Sequence, residues 1–197
     1  LETHTDRLFH SANRMGMDVP YTKNELNDAQ HEIIKKMNIS YGYIRPVIWR
    51  GSEMMAISAQ KNKINVAIAT WEWPSYFSPE DRLRGISLQT AEWRRPPANT
   101  MPTDAKAAGL YMICTLSKHK AEKEGFTDAL MLDYEGKVCE STGSNIFFVF
   151  NGELHTPIPH CFLNGITRQT AMSIALNQNI KVVERDIYPE EIKDADE

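Results

Sequence analysis

Residues 94–104, RRPPANTMPTD, hold three prolines, little apolar side chain and no periodicity. Proline lacks a backbone N–H, fixes φ, and pushes the residue before it out of the helical region. Such a stretch reads as a linker. The chain is therefore divided into residues 1–97, a connecting loop over residues 98–104, and residues 105–197. With 197 residues in total, each part has enough chain for a core of its own.

Both parts mix helix and strand signals. Residues 1–14 carry Leu8, Phe9 and Ala12 at helical spacing, with no N-cap residue before them. Thr22-x-x-Glu25 is a capping box that opens a helix with Leu26, Ala29, Ile33 and Met37 as its apolar stripe. YGYIRPVIWR is rich in β-branched and aromatic residues and reads as a strand, its Pro46 favouring an edge or a bulge. INVAIAT reads as a buried strand and GISLQTAEW as a third strand. After the linker, a helix from about Lys106 is followed by the strands DALMLD, VCEST and NIFFVF. Asn151-Gly152 is a tight hairpin turn leading into ELHT. Residues 167–177 form a helix with Ala171, Ile174 and Ala175 inward, IKVVERD is a strand, and YPEEIKDADE starts a helix with Pro189 in its first turn. The expected class is α/β of the mixed α+β kind, with an active site between the two parts.

Bulk properties exclude several functions. The formal charge of −4 gives no surface for nucleic acid or anionic membrane. No apolar run approaches the ~20 residues of a membrane span, and no basic-then-apolar signal peptide opens the chain. The three cysteines, Cys114, Cys139 and Cys161, form no C-x-x-C pair. They read as free thiols in a reducing compartment, with no metal site expected. There is no G-x-G-x-x-G, Walker loop, H-E-x-x-H or G-x-S-x-G, and the six histidines are scattered.

Three features remain. Lys106 precedes Ala107-Ala108-Gly109, small residues that leave room for something flat, although on sequence physics alone a solvated lysine is the commoner explanation. Lys118, Lys120 and Lys123 crowd the polar end of the same helix and read as a solvated face. Glu140 lies between two strands in VCESTGSNIFFVF, followed by Ser, Thr and Gly. Gly165-Ile166-Thr167 precedes a helix whose free N–H groups would suit a phosphate, the plainer reading being a helix capped by Thr167. A lysine, an acid and a helix N-terminus are what pyridoxal 5'-phosphate needs: an amine to hold it, an acid for its ring nitrogen and donors for its phosphate.

The stretch from PANTMPTDAKAAGLY through VCESTGSNIFFVF to NGITRQT resembles the class IV aminotransferases, in particular those acting on branched-chain amino acids. The similarity runs from HTDRLFHSA to VVERDIYPEEIKDADE. It implies a two-domain fold like that of D-amino-acid aminotransferases, with a small N-terminal domain, an interdomain loop and a large cofactor-binding domain. By motif, Lys106 is implied as the lysine covalently bound to the cofactor and Tyr111 as the partner of its phenolic oxygen. Glu140 is implied for the ring nitrogen, and Ile166 and Thr167 for the phosphate. Tyr43 and Arg45 of YIRP and Trp73 and Tyr76 of WPSY resemble substrate-pocket residues, Arg45 receiving the side-chain carboxylate of glutamate. The implied reaction moves the amino group of leucine, isoleucine or valine to 2-oxoglutarate, in a cytoplasmic homodimer or higher homo-oligomer. A D-amino-acid aminotransferase, an aminodeoxychorismate lyase or a non-catalytic fragment are the alternatives. The resemblance also implies segments beyond both ends: a phosphate-binding arginine and further strands before Leu1, and a Thr-rich phosphate loop after Glu197. These residues alone are accordingly not expected to form a competent enzyme.

Overall fold

A computed structural model describes residues 1–73 and 78–197. The chain forms two compact units, Leu1–Glu80 and Asp81–Glu197.

The first unit begins with α1 (Glu2–Arg14) and α2 (Lys23–Met37). The capping box at Thr22 and Glu25 is formed in both directions. The two helices meet through polar groups: Thr5 bonds Asn27, and buried Gln30 donates to Thr5. Leu26 is buried, but Ala29 and Met37 are exposed, so the apolar stripe of α2 is shorter than its periodicity suggests. Strands β1 (Gly42–Arg50) and β2 (Ile64–Glu72) form an antiparallel pair from Gly42↔Glu72 to Arg50↔Ile64. Each strand of such a pair is an edge, which tolerates Pro46 on β1 and leaves β2 without a buried residue, against the expectation that INVAIAT is a buried strand. Helix α3 (Pro79–Arg84) spans the division between the units.

The second unit holds two three-stranded sheets. In one, β3 (Leu88–Arg95) pairs parallel to β4 (Asp128–Asp133), and β4 pairs antiparallel to β5 (Val138–Ser141). GISLQTAEW, placed in the first part by sequence, thus belongs to the second unit, and Arg94 and Arg95 continue its strand. The proline-rich segment interrupts secondary structure without marking where the packing divides. Helix α4 (Met112–Lys123) lies against β3 and β4. Ala129 and Met131 of β4 join Ala91, Cys114 and Ala121 in one cluster, whereas Leu130 and Leu132 join Val138, Phe148 and Ile187 in another. Burial on both faces is why DALMLD is nearly continuous in its apolar character.

The second sheet orders β6 (Phe148–Phe150), β7 (Glu153–Pro157) and β8 (Val182–Arg185). Asn151 (φ 51°) and Gly152 (φ 77°) both adopt left-handed backbone, as a two-residue hairpin of this kind requires. Helix α5 (Ile166–Asn177) precedes β8, burying Ala175 but leaving Ile174 58% exposed, against the expectation of an inward side chain. Residues Pro189–Asp194 form a 3-10 helix with proline in its first turn, where an ordinary helix was expected.

Candidate active site

Glu140 is aimed by a bulge. Glu140 pairs with Met131 and Val138 with Leu132, so the register slips and Cys139 is left without a partner on β4. In an unbroken strand Val138 and Glu140 would share a face. The extra residue turns Glu140 onto the face of Met131 and α4, while Val138 stays in the opposite cluster.

Glu140 is 7% exposed. Its Oε1 lies 2.6 Å from Nη2 of Arg95, itself 5% exposed, and its Oε2 accepts from Asn145 Nδ2 at 3.3 Å. Arg95 also donates to the Leu110 carbonyl through Nη1. Burial still dominates: it raises the Glu140 pKa to about 7, against the opposing charges of Arg95 and Lys106.

Lys106 lies on irregular backbone just before a 3-10 turn, Ala108–Tyr111, that runs into α4. Its Nζ sits 6.0 Å from the centre of the Tyr111 ring, and its charge acts on Glu140. The other lysines differ. Lys118 donates to the Thr127 carbonyl, so it is less solvated than its position in the sequence suggested, and Lys120 pairs with Glu92.

Asn145 connects Glu140 to the start of α5. Its Nδ2 donates to the Leu163 carbonyl at 3.0 Å, and a Cβ on Gly165 would collide with its Oδ1. Gly165 is the N-cap of α5 and offers no side-chain cap, which leaves the first-turn N–H groups of Ile166 and Thr167 without that partner. Thr167 is exposed inside the first turn and is not the cap. Arg168 anchors the turn from behind: 2% exposed, it donates to Asn164 Oδ1, Thr156 Oγ1, the Pro157 carbonyl and Glu184.

In the first unit, Tyr43 of β1 faces Trp71 of β2, their ring centres 5.2 Å apart. Trp73 lies 5.5 Å from both rings. The Arg45 guanidinium sits over Tyr43 and Trp71, at 5.2 and 5.5 Å from their centres. Tyr76 lies outside the described residues.

Sequence reasoning passed over Arg95, Asn145, Trp71 and Arg168. Trp71 could have been found, since it alternates with Trp73 in the sequence that forms and follows β2. Arg95 was hidden by its place beside two prolines, where it read as linker.

A family model described as amino-transferase class IV matches residues 1–197. The branched-chain-amino-acid aminotransferase of Pseudomonas aeruginosa is 40% identical over 197 residues, 100% of this chain and 64% of that protein. A probable branched-chain-amino-acid aminotransferase of Rickettsia bellii is 42% identical over 194 residues, 98% of this chain and 66% of that protein. Among solved structures, the Escherichia coli branched-chain amino acid aminotransferase superposes with a TM-score of 0.95 at 33% identity, covering 99% of this chain and 65% of that one. An aminotransferase of Brucella abortus bound to the cofactor PLP gives a TM-score of 0.87 at 32% identity, covering 99% and 69%. The chain thus spans a little under two thirds of the curated relatives it matches. Matched by that family model from its first residue to its last, the chain belongs to the class IV aminotransferase family.

Proposed function

We propose that the protein transfers the amino group of leucine, isoleucine or valine to 2-oxoglutarate, with pyridoxal 5'-phosphate as its cofactor. The observation that carries this reading is the joining of Lys106, Glu140 and the α5 N-terminus in one unit: the lysine's charge acts on the acid, and Asn145 links the acid to the turn. The names of the relatives supply the substrate class.

The donor set fits the cofactor. Lys106 Nζ is the amine that would hold it covalently. Glu140, poised near neutrality, is matched to share a proton with a pyridine nitrogen. Ile166 and Thr167 offer backbone N–H groups, and Thr167 a hydroxyl, at a helix N-terminus suited to phosphate. Tyr111, beside the lysine, would donate to the phenolic oxygen. When bound, the cofactor supplies the electron sink that stabilises negative charge on the amino acid's α-carbon. Lys106 Nζ, as a free amine, takes the α-proton from the amino acid and later returns one to the α-carbon formed from 2-oxoglutarate. Arg95 and Asn145 hold the Glu140 carboxyl in place throughout. Tyr43, Trp73 and Tyr76 are assigned to the apolar side chains, and Arg45 to the acidic one.

Among the described residues no helix is long and apolar enough to cross a membrane. The assignment extends to a homodimer or larger homo-oligomer in the cytoplasm, whose reducing conditions suit three buried free thiols.

The test uses the full-length protein. With the cofactor added, it should show a near-visible absorbance band and turn over L-leucine with 2-oxoglutarate, and Lys106→Ala should lose both. Persistence of the band and of activity in Lys106→Ala would refute the assignment. Turnover of D-amino acids or of aminodeoxychorismate in place of the branched L-amino acids would reassign the substrate.

A further inference from the structure

Two of the three cysteines are far apart in sequence and adjacent in space. Cys139 is the unpartnered residue of the β5 bulge, and Cys161 lies in the irregular segment, residues 158–165, that leads to α5. Their sulfurs are 3.4 Å apart, and each residue is 2% exposed, with Phe162 completing the cluster. Asp133 also brings a carboxylate oxygen within 4.8 Å of both sulfurs. That carboxylate already accepts from the Glu135 and Lys137 amides, which makes it the anchor of the β4–β5 turn and leaves the dithiol as the reactive part.

We infer that Cys139 and Cys161 are a modification site: a dithiol that a hydroperoxide converts to a reversible disulfide. Both sulfurs need only close from contact to a bond of ~2.05 Å. Cys161 is the attacking sulfur. The S–H···S contact it shares with Cys139 moves its pKa below the ordinary thiol value, with burial opposing and the Arg95 charge assisting, while the same contact and burial push Cys139 up. Cys161 also sits on the more deformable element, since irregular backbone opens more readily than a paired strand.

The Cys161 thiolate attacks one oxygen of the hydroperoxide. The O–O bond breaks, the alkoxide leaves and takes up the proton given up by the Cys161 thiol to depart as an alcohol (water, from hydrogen peroxide), and a sulfenic acid remains. The Cys139 sulfur attacks that sulfur. The S–O bond breaks, and the hydroxide leaves with the Cys139 proton as a second water. Two electrons pass from the thiols to the peroxide. The cross-link would join the strand carrying Glu140 to the segment carrying Leu163, Asn164 and Gly165, so it ties together two elements of the candidate site.

The full-length protein, reduced and desalted, is treated with hydrogen peroxide, blocked with a maleimide under denaturing conditions, and digested without reductant. The expected product is a Cys139–Cys161 linked peptide pair, lighter by two hydrogens (about 2 Da) than the sum of its parts. A thiol reductant should abolish it. Cys161→Ser should lose the species entirely, and Cys114→Ser should retain it. Recovery of both peptides from the oxidised wild-type protein only as maleimide adducts or sulfinic acids would overturn the inference. Because the readout is covalent mass, it is independent of aminotransferase activity.

Discussion

Glu140 is bonded on both carboxylate oxygens and still titrates near neutrality, because burial outweighs its partners. Its ordinary pKa of 4.5 is raised to about 7 on folding. Between those values the folded chain binds more protons than the unfolded one, so the slope of unfolding free energy with pH is negative. The stabilising share of this group is complete below pH 4.5 and is lost as pH rises through 7, amounting to about 3 kcal/mol. Denaturant melts across this range should show that loss in the wild-type protein relative to Glu140→Gln; a pH-independent difference would count against it. Arg95 makes a complementary case. Arg95→Met leaves a buried carboxylate without its cation and should cost ~3–5 kcal/mol at pH 8. The cost should shrink at pH 5, where Glu140 takes up a proton. Equal costs at both pH values would mean that Arg95 acts by packing alone. Glu140 was legible as a candidate in the sequence because an acid between two strands is less easily dismissed as a solvated face, although the sequence left that plainer reading even. Its partner was not, because the 45-residue separation of Arg95 and Glu140 is closed by the pairing of β3 with β4 and of β4 with β5.

Local chemistry decided which elements could be read in advance. The capping box at Thr22, the Asn151-Gly152 turn and the doubly buried β4 each depend on a few neighbouring residues, and each forms as its pattern dictates. The misreadings depend on partners. Ile174 follows helical spacing but faces out, and GISLQTAEW was assigned by its place before the prolines when its pairing is with β4. The Cys139 bulge is likewise invisible to a period-two reading, since it exists only in the register against β4. The N-terminus of α5 offers a test at this scale. Gly165 has ordinary backbone angles, so it is not held there by conformational freedom. The constraint is space, because an added methyl would strike Asn145 Oδ1. Gly165→Ala should displace Asn145, weaken its bonds to Glu140 and to the Leu163 carbonyl, and destabilise the protein by ~1–3 kcal/mol. Thermal melts beside a cofactor titration check it: both should fall together. Unchanged cofactor affinity would separate Asn145 from the site.

Across the whole chain, the two compact units carry different kinds of residue. The second holds Lys106, Glu140 and the α5 turn, and the first holds Tyr43, Arg45, Trp71 and Trp73. Under the proposed function, the second unit supplies proton transfer common to both half-reactions, and the first distinguishes an apolar from an acidic side chain. Arg45 suits the latter role because it is exposed and already rests on aromatic rings, so its charge need not be buried when leucine binds. A variant in each unit should therefore produce a different kinetic pattern in the full-length protein. Lys106→Ala should abolish both half-reactions. Arg45→Gln should spare the leucine half-reaction and impair the one with 2-oxoglutarate. A lost charge-assisted hydrogen bond of ~1.5–3 kcal/mol corresponds to a rise in KM of roughly 10- to 100-fold. Single-turnover measurements with each substrate separate the cases, since they isolate one half-reaction at a time. If Arg45→Gln slowed leucine and 2-oxoglutarate equally, the guanidinium would be supporting the aromatic cluster, and recognition of the acid would have to come from another residue.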